Sequence, residues 1–130
     1  MHGSDASSPG ERAPSVEIEL RPASATAFAA LVTLHGGHDI ATSRDLRDAL
    51  ASLDGDVLLD LSECEFMDSS VIYAVFSDSH ARTQHGHRLE LVVPPENRIV
   101  TRILEIAGAR ELLAIHRAGD FDTRNAAPEQ

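Results

Sequence analysis

Four carboxylates stand close together at Asp60, Glu63, Glu65 and Asp68. Acids gathered round one strand end can hold a hard cation or serve as an acid and base pair. The plainer reading is a solvated acidic loop, because acids are common on surface loops. A sharper version makes Asp60 a phosphoacceptor, as in receiver domains. That chemistry wants an acidic pair after the first strand and a lysine after a later one. Here the first strand is followed by Arg21-Pro22-Ala23-Ser24, and the chain has no lysine at all. The receiver reading fails.

The seven histidines offer the pairs His35-x-x-His38 and His85-x-His87. A metal site needs converging ligands and usually a carboxylate or thiolate with them. One pair falls in a turn and the other closes a helix, so both read as surface histidines, and no metal or other cofactor is expected. Ser69 paired with a histidine would need a G-x-S-x-G elbow and an oxyanion hole, and the sequence offers neither. Cys64, set between Glu63 and Glu65, should have a raised pKa, low reactivity and a packing role. The chain reads as a non-enzyme.

Asp68-Ser69-Ser70 is first of all a helix N-cap. A serine hydroxyl placed there is also exposed beside backbone N–H groups and the positive end of the helix dipole, so an added phosphate should find donors. That phosphate adds about -1.5 to -2 charge. Beside Asp68 the patch becomes strongly negative, and a partner packed on it meets charge and bulk together. Mismatch of this kind costs several kcal/mol, and about 1.4 kcal/mol is tenfold in affinity. One modification could therefore switch binding off without unfolding the chain.

The elements that must position these residues follow from periodicity. Ser15 to Leu20 alternates polar with apolar, as a half-buried strand does, and a turn at Arg21 to Ser24 leads to a second strand over about Thr26 to Leu34. Gly36-Gly37 should break the chain. Thr42 or Ser43 caps a helix through Leu46, Leu50 and Leu53 that ends near Gly55. Val57 to Leu61 is nearly all apolar, a strand covered on both faces. An acidic loop, Ser62 to Met67, leads to a helix from about Ser70 to Gln84 that faces inward through Ile72, Val75, Phe76 and Ser79.

Arg88 to Val93 is the next strand, stopped by Pro94-Pro95. A helix from Asn97 turns Ile99, Val100, Ile103, Leu104 and Ile106 inward, and Gly108 caps its end. Leu112 to Ile115 forms a short last strand and Gly119 to Asn125 a weak helix. The class is α/β: a mixed sheet of about five strands, an opening hairpin and then βα units, with about four helices packed on it. The single domain spans 15–118. Residues 1–14 form a disordered tail without signal-peptide character, and 119–130 are a fraying extension.

Composition narrows the function. At 130 residues one core is expected, and no apolar run approaches the ~18 residues of a membrane span. The single cysteine fits a reducing cytosol. With 21 acids against 11 arginines the net charge is -10. Such a surface repels phosphate backbones and anionic lipid, which argues against nucleic acid and membrane, while a basic protein partner is favoured.

Three segments together resemble the STAS domains, specifically the free-standing bacterial anti-sigma factor antagonists. Val57 to Ser70 (V-L-L-D-L-S-E-C-E-F-M-D-S-S) is similar to the family's strand, loop and phosphoacceptor turn. His35 to Thr42 (H-G-G-H-D-I-A-T) is similar to its G-E-L-D loop, and Arg102 to Gly108 (R-I-L-E-I-A-G) to the helix that ends in glycine. The resemblance runs from about Val16 to Ile115. It implies a STAS-like fold and a cytoplasmic, non-catalytic switch in a partner-switching circuit of transcription and stress response. In that circuit the unphosphorylated antagonist binds an anti-sigma factor serine kinase and frees a sigma factor. The kinase phosphorylates the antagonist and a phosphatase resets it.

Carried over by motif, Ser69 is the phosphoacceptor, flanked by Asp68 and Ser70, and Asp39 lies near the partner-binding surface. Val71 and Tyr73 stand where the family usually has glycines, and Gly37 and His38 replace its usual Glu and Leu. Val71 and Tyr73 are therefore assigned to the partner surface too, where their bulk would change what docks. The expected state is a monomer or weak homodimer. Two rival readings keep the fold: a scaffold or sensory-complex subunit that is never phosphorylated, and a small-ligand or anion-binding module. An accessory domain of an anion transporter is a further idea that no membrane segment supports.

Overall fold

The computed structural model describes residues 13–20, 28–94 and 96–117. The alternating stretch is strand β1 (Ser15–Leu20), and it pairs antiparallel with β2 (Ala30–His38), Ser15 opposite His35 and Leu20 opposite Ala30. The expected turn at Arg21 to Ser24, the helix at Gly119 to Asn125 and most of the expected N-terminal tail lie outside the described residues.

β2 differs from expectation. It starts at Ala30 and runs through Gly36 and Gly37, read above as a break, to His38. Gly36 takes a left-handed φ of 80°, and the register shifts between Gly36 and Gly37. Such a bulge lets the strand change partner without ending. Its first half pairs parallel with β3 (Val57–Asp60), Ala30 opposite Val57 and Thr33 opposite Asp60. Its second half pairs parallel with β4 (Cys64–Met67), His38 opposite Met67. The segment read as an acidic loop therefore holds a strand, with Cys64 and Met67 buried and Phe66 exposed.

β5 (Leu89–Val93) and β6 (Ile115–Arg117) complete a mixed sheet of order β1-β2-β3-β5-β6, with β4 joined to β2. β6 begins at Ile115, where the expected last strand was to end. The residues before it form a short helix, α4 (Ala109–Leu112).

The other helices are α1 (Ile40–Ala51), α2 (Ser69–Gln84) and α3 (Arg98–Ile106). Their apolar faces join alternate residues of the strands in one core: Leu46 and Leu50 of α1, Ile72 and Val75 of α2, and Val100 and Leu104 of α3 against Val32, Leu59 and Leu91. A smaller cluster, Phe28, Leu31, Leu58 and Val92, lies on the opposite side of the sheet. Burial on both faces explains why β3 reads as an unbroken apolar run.

α1 is capped by Asp39 rather than Thr42 or Ser43. Thr42 is the return half of a capping box, its hydroxyl accepting the Asp39 N–H at 3.0 Å. α3 also departs from expectation. It carries two adjoining apolar stripes, and the one through Val100 and Leu104 faces the core. Ile99 and Ile106, expected inward, are exposed on the other. Gly108, with φ of 73°, follows the end of α3 in the left-handed conformation that only glycine adopts without strain.

Arg82 locks α2 to the end of α1. It is buried, and its guanidinium holds Asp78 one turn back through Nε at 2.8 Å and Nη2 at 3.0 Å. Nη1 donates to the carbonyls of Leu53 and Gly55, and Nη2 to that of Leu50. All five N–H donors are used, three of them at carbonyls of the end of α1 and the turn that follows.

Candidate functional site

Because His38 and Met67 are paired on adjacent strands, the residues that follow them, Asp39 and Asp68, start two helices side by side. The Asp68 N–H donates to the His38 carbonyl at 3.1 Å and fixes this junction. Asp39 accepts from the Ala41 N–H at 2.9 Å. Asp68 Oδ1 accepts from the N–H groups of Ser70 at 3.0 Å and Val71 at 3.3 Å, and from the Ser70 hydroxyl at 2.6 Å. The N–H of Ile40, the first residue of the other helix, lies near this carboxylate. Desolvation pushes its pKa up. The hydrogen bonds from Ser70 and Val71, helped by the nearby Ile40 N–H, outweigh that and hold the carboxyl below its ordinary value, so it is ionised at neutral pH.

The two serines after Asp68 are unlike each other. Ser70 is half-buried with its hydroxyl spent on Asp68. Ser69 is exposed, and its hydroxyl makes no hydrogen bond among the described residues. The waiting N–H donors expected at this helix start are not free. Asp68 takes those of Ser70 and Val71, and its own carbonyl that of Ile72 at 3.1 Å. A phosphate on Ser69 would thus stand beside a fixed carboxylate.

Val71 and Tyr73 part company. Val71, assigned above to the partner surface, is fully buried against the core and offers a partner nothing. A residue three places after the cap turns into the sheet, and there a glycine would leave a hole. Tyr73 is 69% exposed, and it shares a face of α2 with Ser69 four residues earlier. Ile40, which the sequence reading passed over, is 75% exposed at the same junction. Its place at the first turn of α1, ahead of the buried Ser43 and Leu46, was the available signal.

On the other side of Ser69 lies an apolar groove of about 430 Å³ between the start of α2 and α3. Met67 and Ile72 form its floor, and Phe66, Ile103 and Ile106 its walls. Asn97 sets the wall helix in place, capping α3 through Val100 N–H and donating to the Cys64 carbonyl of β4 at 2.9 Å.

The remaining candidates are engaged locally. Asp60 ends β3 in a turn, accepting from the N–H of Ser62 at 2.9 Å and its hydroxyl at 2.6 Å, away from the junction that Asp68 holds. His38 is fully buried, its Nε2–H donating to the His35 carbonyl at 3.0 Å, while His35 turns to Glu17 at 2.8 Å. Cys64 is buried, and its pKa is pushed up to about 11, mainly by desolvation.

A family model described as "Mlab, STAS domain" matches residues 23–114. The chain belongs to the STAS family. Its fold is shared with the anti-sigma factor antagonist SpoIIAA in its unphosphorylated form, at TM-score 0.64 and 15% identity over 81% of this chain and 90% of that one. The Bacillus cell fate determinant SpoIIAA in the phosphorylated form gives TM-score 0.59 at 14% identity, over 81% and 94%. An anti-sigma factor antagonist from Mycobacterium paratuberculosis gives 0.64 at 15%, over 78% and 86%. At these identities the likeness is one of fold. No curated protein matches the chain in sequence. Among the described residues of this STAS chain, no helix is long and apolar enough to cross a membrane.

Proposed function

We propose that this STAS chain is a cytoplasmic anti-sigma factor antagonist acting as a phosphorylation-controlled binding switch. Unphosphorylated, it binds an anti-sigma factor serine kinase and frees a sigma factor. Phosphorylation of Ser69 weakens that binding, and a phosphatase restores it. The observation that carries the reading is the contrast between the two serines: Ser69 exposed and unbonded, Ser70 tied to Asp68 at 2.6 Å. A kinase needs a hydroxyl it can reach, and the new charge, about -1.5 to -2, would sit beside an ionised carboxylate. Two structures of SpoIIAA, one in each phosphorylation state, share this fold and lend support.

The test is intact mass after incubation with ATP and lysate from the source organism, followed by capture of the kinase on immobilised chain. A phosphate-sized gain that Ser69→Ala removes, with a captured kinase that the phosphorylated chain no longer holds, is the expected result. No gain beside an active control substrate overturns the switch.

The exposure of Tyr73 favours a second reading. A large ring one turn from Ser69, where the family usually has glycine, suits a surface that stays bound. In that case the chain is an unphosphorylated subunit of a stable complex. Size-exclusion chromatography with light scattering on complexes recovered from cells separates it from a reversible switch.

A further inference from the structure

The groove beside Ser69 carries the reading above one step further, to the chemistry of the partner. The geometry points to an amphipathic helix of the partner, apolar on one face and basic at its flanks, seated between α2 and α3 with Ser69 at its rim. The inference rests on this end of the molecule being a binding surface, and not on phosphorylation.

Three observations select that occupant. The walls are hydrocarbon: Ile106 is 73% and Phe66 42% exposed, with half-buried Ile103 completing the lining. An apolar trough flanked by two helices suits the i, i+3, i+4 face of a third. At the rim stands Asp68, held ionised, with Asp39 beside it at the helix junction. Finally, the whole chain carries a net charge of -10, which opposes a second copy and attracts a basic segment.

A phosphate on Ser69 then acts by position. It would add charge at the mouth of an apolar trough, where an entering apolar side chain would have to strip water from it. A basic flank could follow the added charge, but the apolar face could not remain seated. The result is loss of the docked helix with the fold unchanged.

The probe is a designed helical peptide with leucine at i, i+3, i+4 and i+7 and lysine elsewhere, beside a copy with glutamate in place of lysine. Each is titrated into the full chain by fluorescence anisotropy and by amide shifts in NMR. The Leu/Lys peptide should bind, shift Ile72, Ile106 and Ala107, and lose at least about tenfold in affinity with Ile106→Asp or Ser69→Glu. Leu20→Asp, an exposed position on β1, should leave affinity unchanged. Ile106→Asp adds attraction for lysine, so a loss there reports the apolar seat and not charge.

Equal binding of both peptides, shifts scattered over the acidic surface, or full affinity in Ile106→Asp would each overturn the inference. So would a dimer, seen by light scattering, that Ile106→Asp dissociates, because the occupant would then be a second copy. The two proposals fail separately. A Ser69 phosphate gain with no peptide binding refutes the groove and spares the switch, and groove binding with no phosphate gain does the reverse.

Discussion

The Asp68 N–H, at the cap of α2, donates to the carbonyl of His38, the residue before the cap of α1, at 3.1 Å. One backbone bond thus ties the start of one helix to the start of its neighbour. That tie, with the pairing of His38 and Met67, explains why the two loops seen in the sequence form a single surface.

Asp68→Ala should cost more than an ordinary cap. One lost cap is worth ~0.5–2 kcal/mol, and here the hydroxyl of Ser70 loses its acceptor as well. Urea unfolding near neutral pH should show a loss at or above the upper end of that range. The folded pKa of Asp68 is depressed, so its contribution is present above the ordinary carboxylate value and is lost as pH falls through the folded one. The gap between wild type and Asp68→Ala should accordingly narrow as the pH falls below the ordinary carboxylate value. A gap that stays constant with pH would show that the carboxylate's charge is not what holds the junction.

Ser69 and Ser70 should separate function from stability. Ser69→Ala and Ser69→Glu remove no hydrogen bond among the described residues and should each leave the midpoint of urea unfolding within about 0.5 kcal/mol of wild type. Ser69→Glu should nonetheless fail to hold the kinase that Ser69→Ala still captures. Ser70→Ala should lose about 1 kcal/mol with its bond to Asp68 and still accept phosphate at Ser69. Phosphate found on Ser70 would reverse these assignments.

The two residues that replace the family's glycines should behave oppositely. Val71 is fully buried, so Val71→Gly loses a packed side chain and adds backbone freedom, about 3 kcal/mol together. Tyr73→Ala, at an exposed position, should change stability by about 0.5 kcal/mol or less and alter partner affinity. Thermal unfolding and capture of the partner, measured on both variants, check the pair. Equal stability losses would mean that Tyr73 is packed too.

Arg82 tests the frame behind the site. Arg82→Ala takes the guanidinium donors from the carbonyls of Leu50, Leu53 and Gly55 and from the Asp78 carboxylate, a loss of about 3–5 kcal/mol. Arg82→Lys should recover little, because an ammonium has three donors and no planar fork to reach four acceptors. Urea midpoints for the two variants decide it. A lysine variant near wild type would show that charge, and not the five-donor geometry, is what the pocket needs.

The sequence made some of this plain and concealed the rest, for physical reasons. β3 was legible because burial on both faces leaves an unbroken Val57-Leu58-Leu59, and α2 because Asp68 is a strong cap. β4 was concealed because Glu63 and Glu65 flank Cys64 and suggest water, although the buried pair Cys64 and Met67 carries the strand. Gly36-Gly37 looked like an ending because a bulge and a break use the same residue. Arg82 gave no signal, since an arginine on a helix reads as solvated until the carbonyls it meets are brought round from another element. Asp68 was read from its position, but its N–H bond to the His38 carbonyl depends on strand register, which one sequence does not express.

Cys64 gives a last check, on the strand the sequence hid. It is buried on β4, its Sγ lies 3.4 Å from the Phe66 carbonyl, and desolvation lifts its pKa to about 11. Thiolate is the reactive form, so at pH near 8 both access and ionisation are withheld. Native chain should react with a thiol-directed disulfide reagent at least about a hundredfold more slowly than chain in urea, and the native rate should rise with denaturant in step with opening of β4. If Ser62 to Met67 were the solvated acidic loop that its carboxylates suggest, the thiol would be labelled at once in the folded protein. Rapid native labelling would therefore remove β4 from the sheet, and with it the pairing of His38 with Met67 that sets Asp39 beside Asp68.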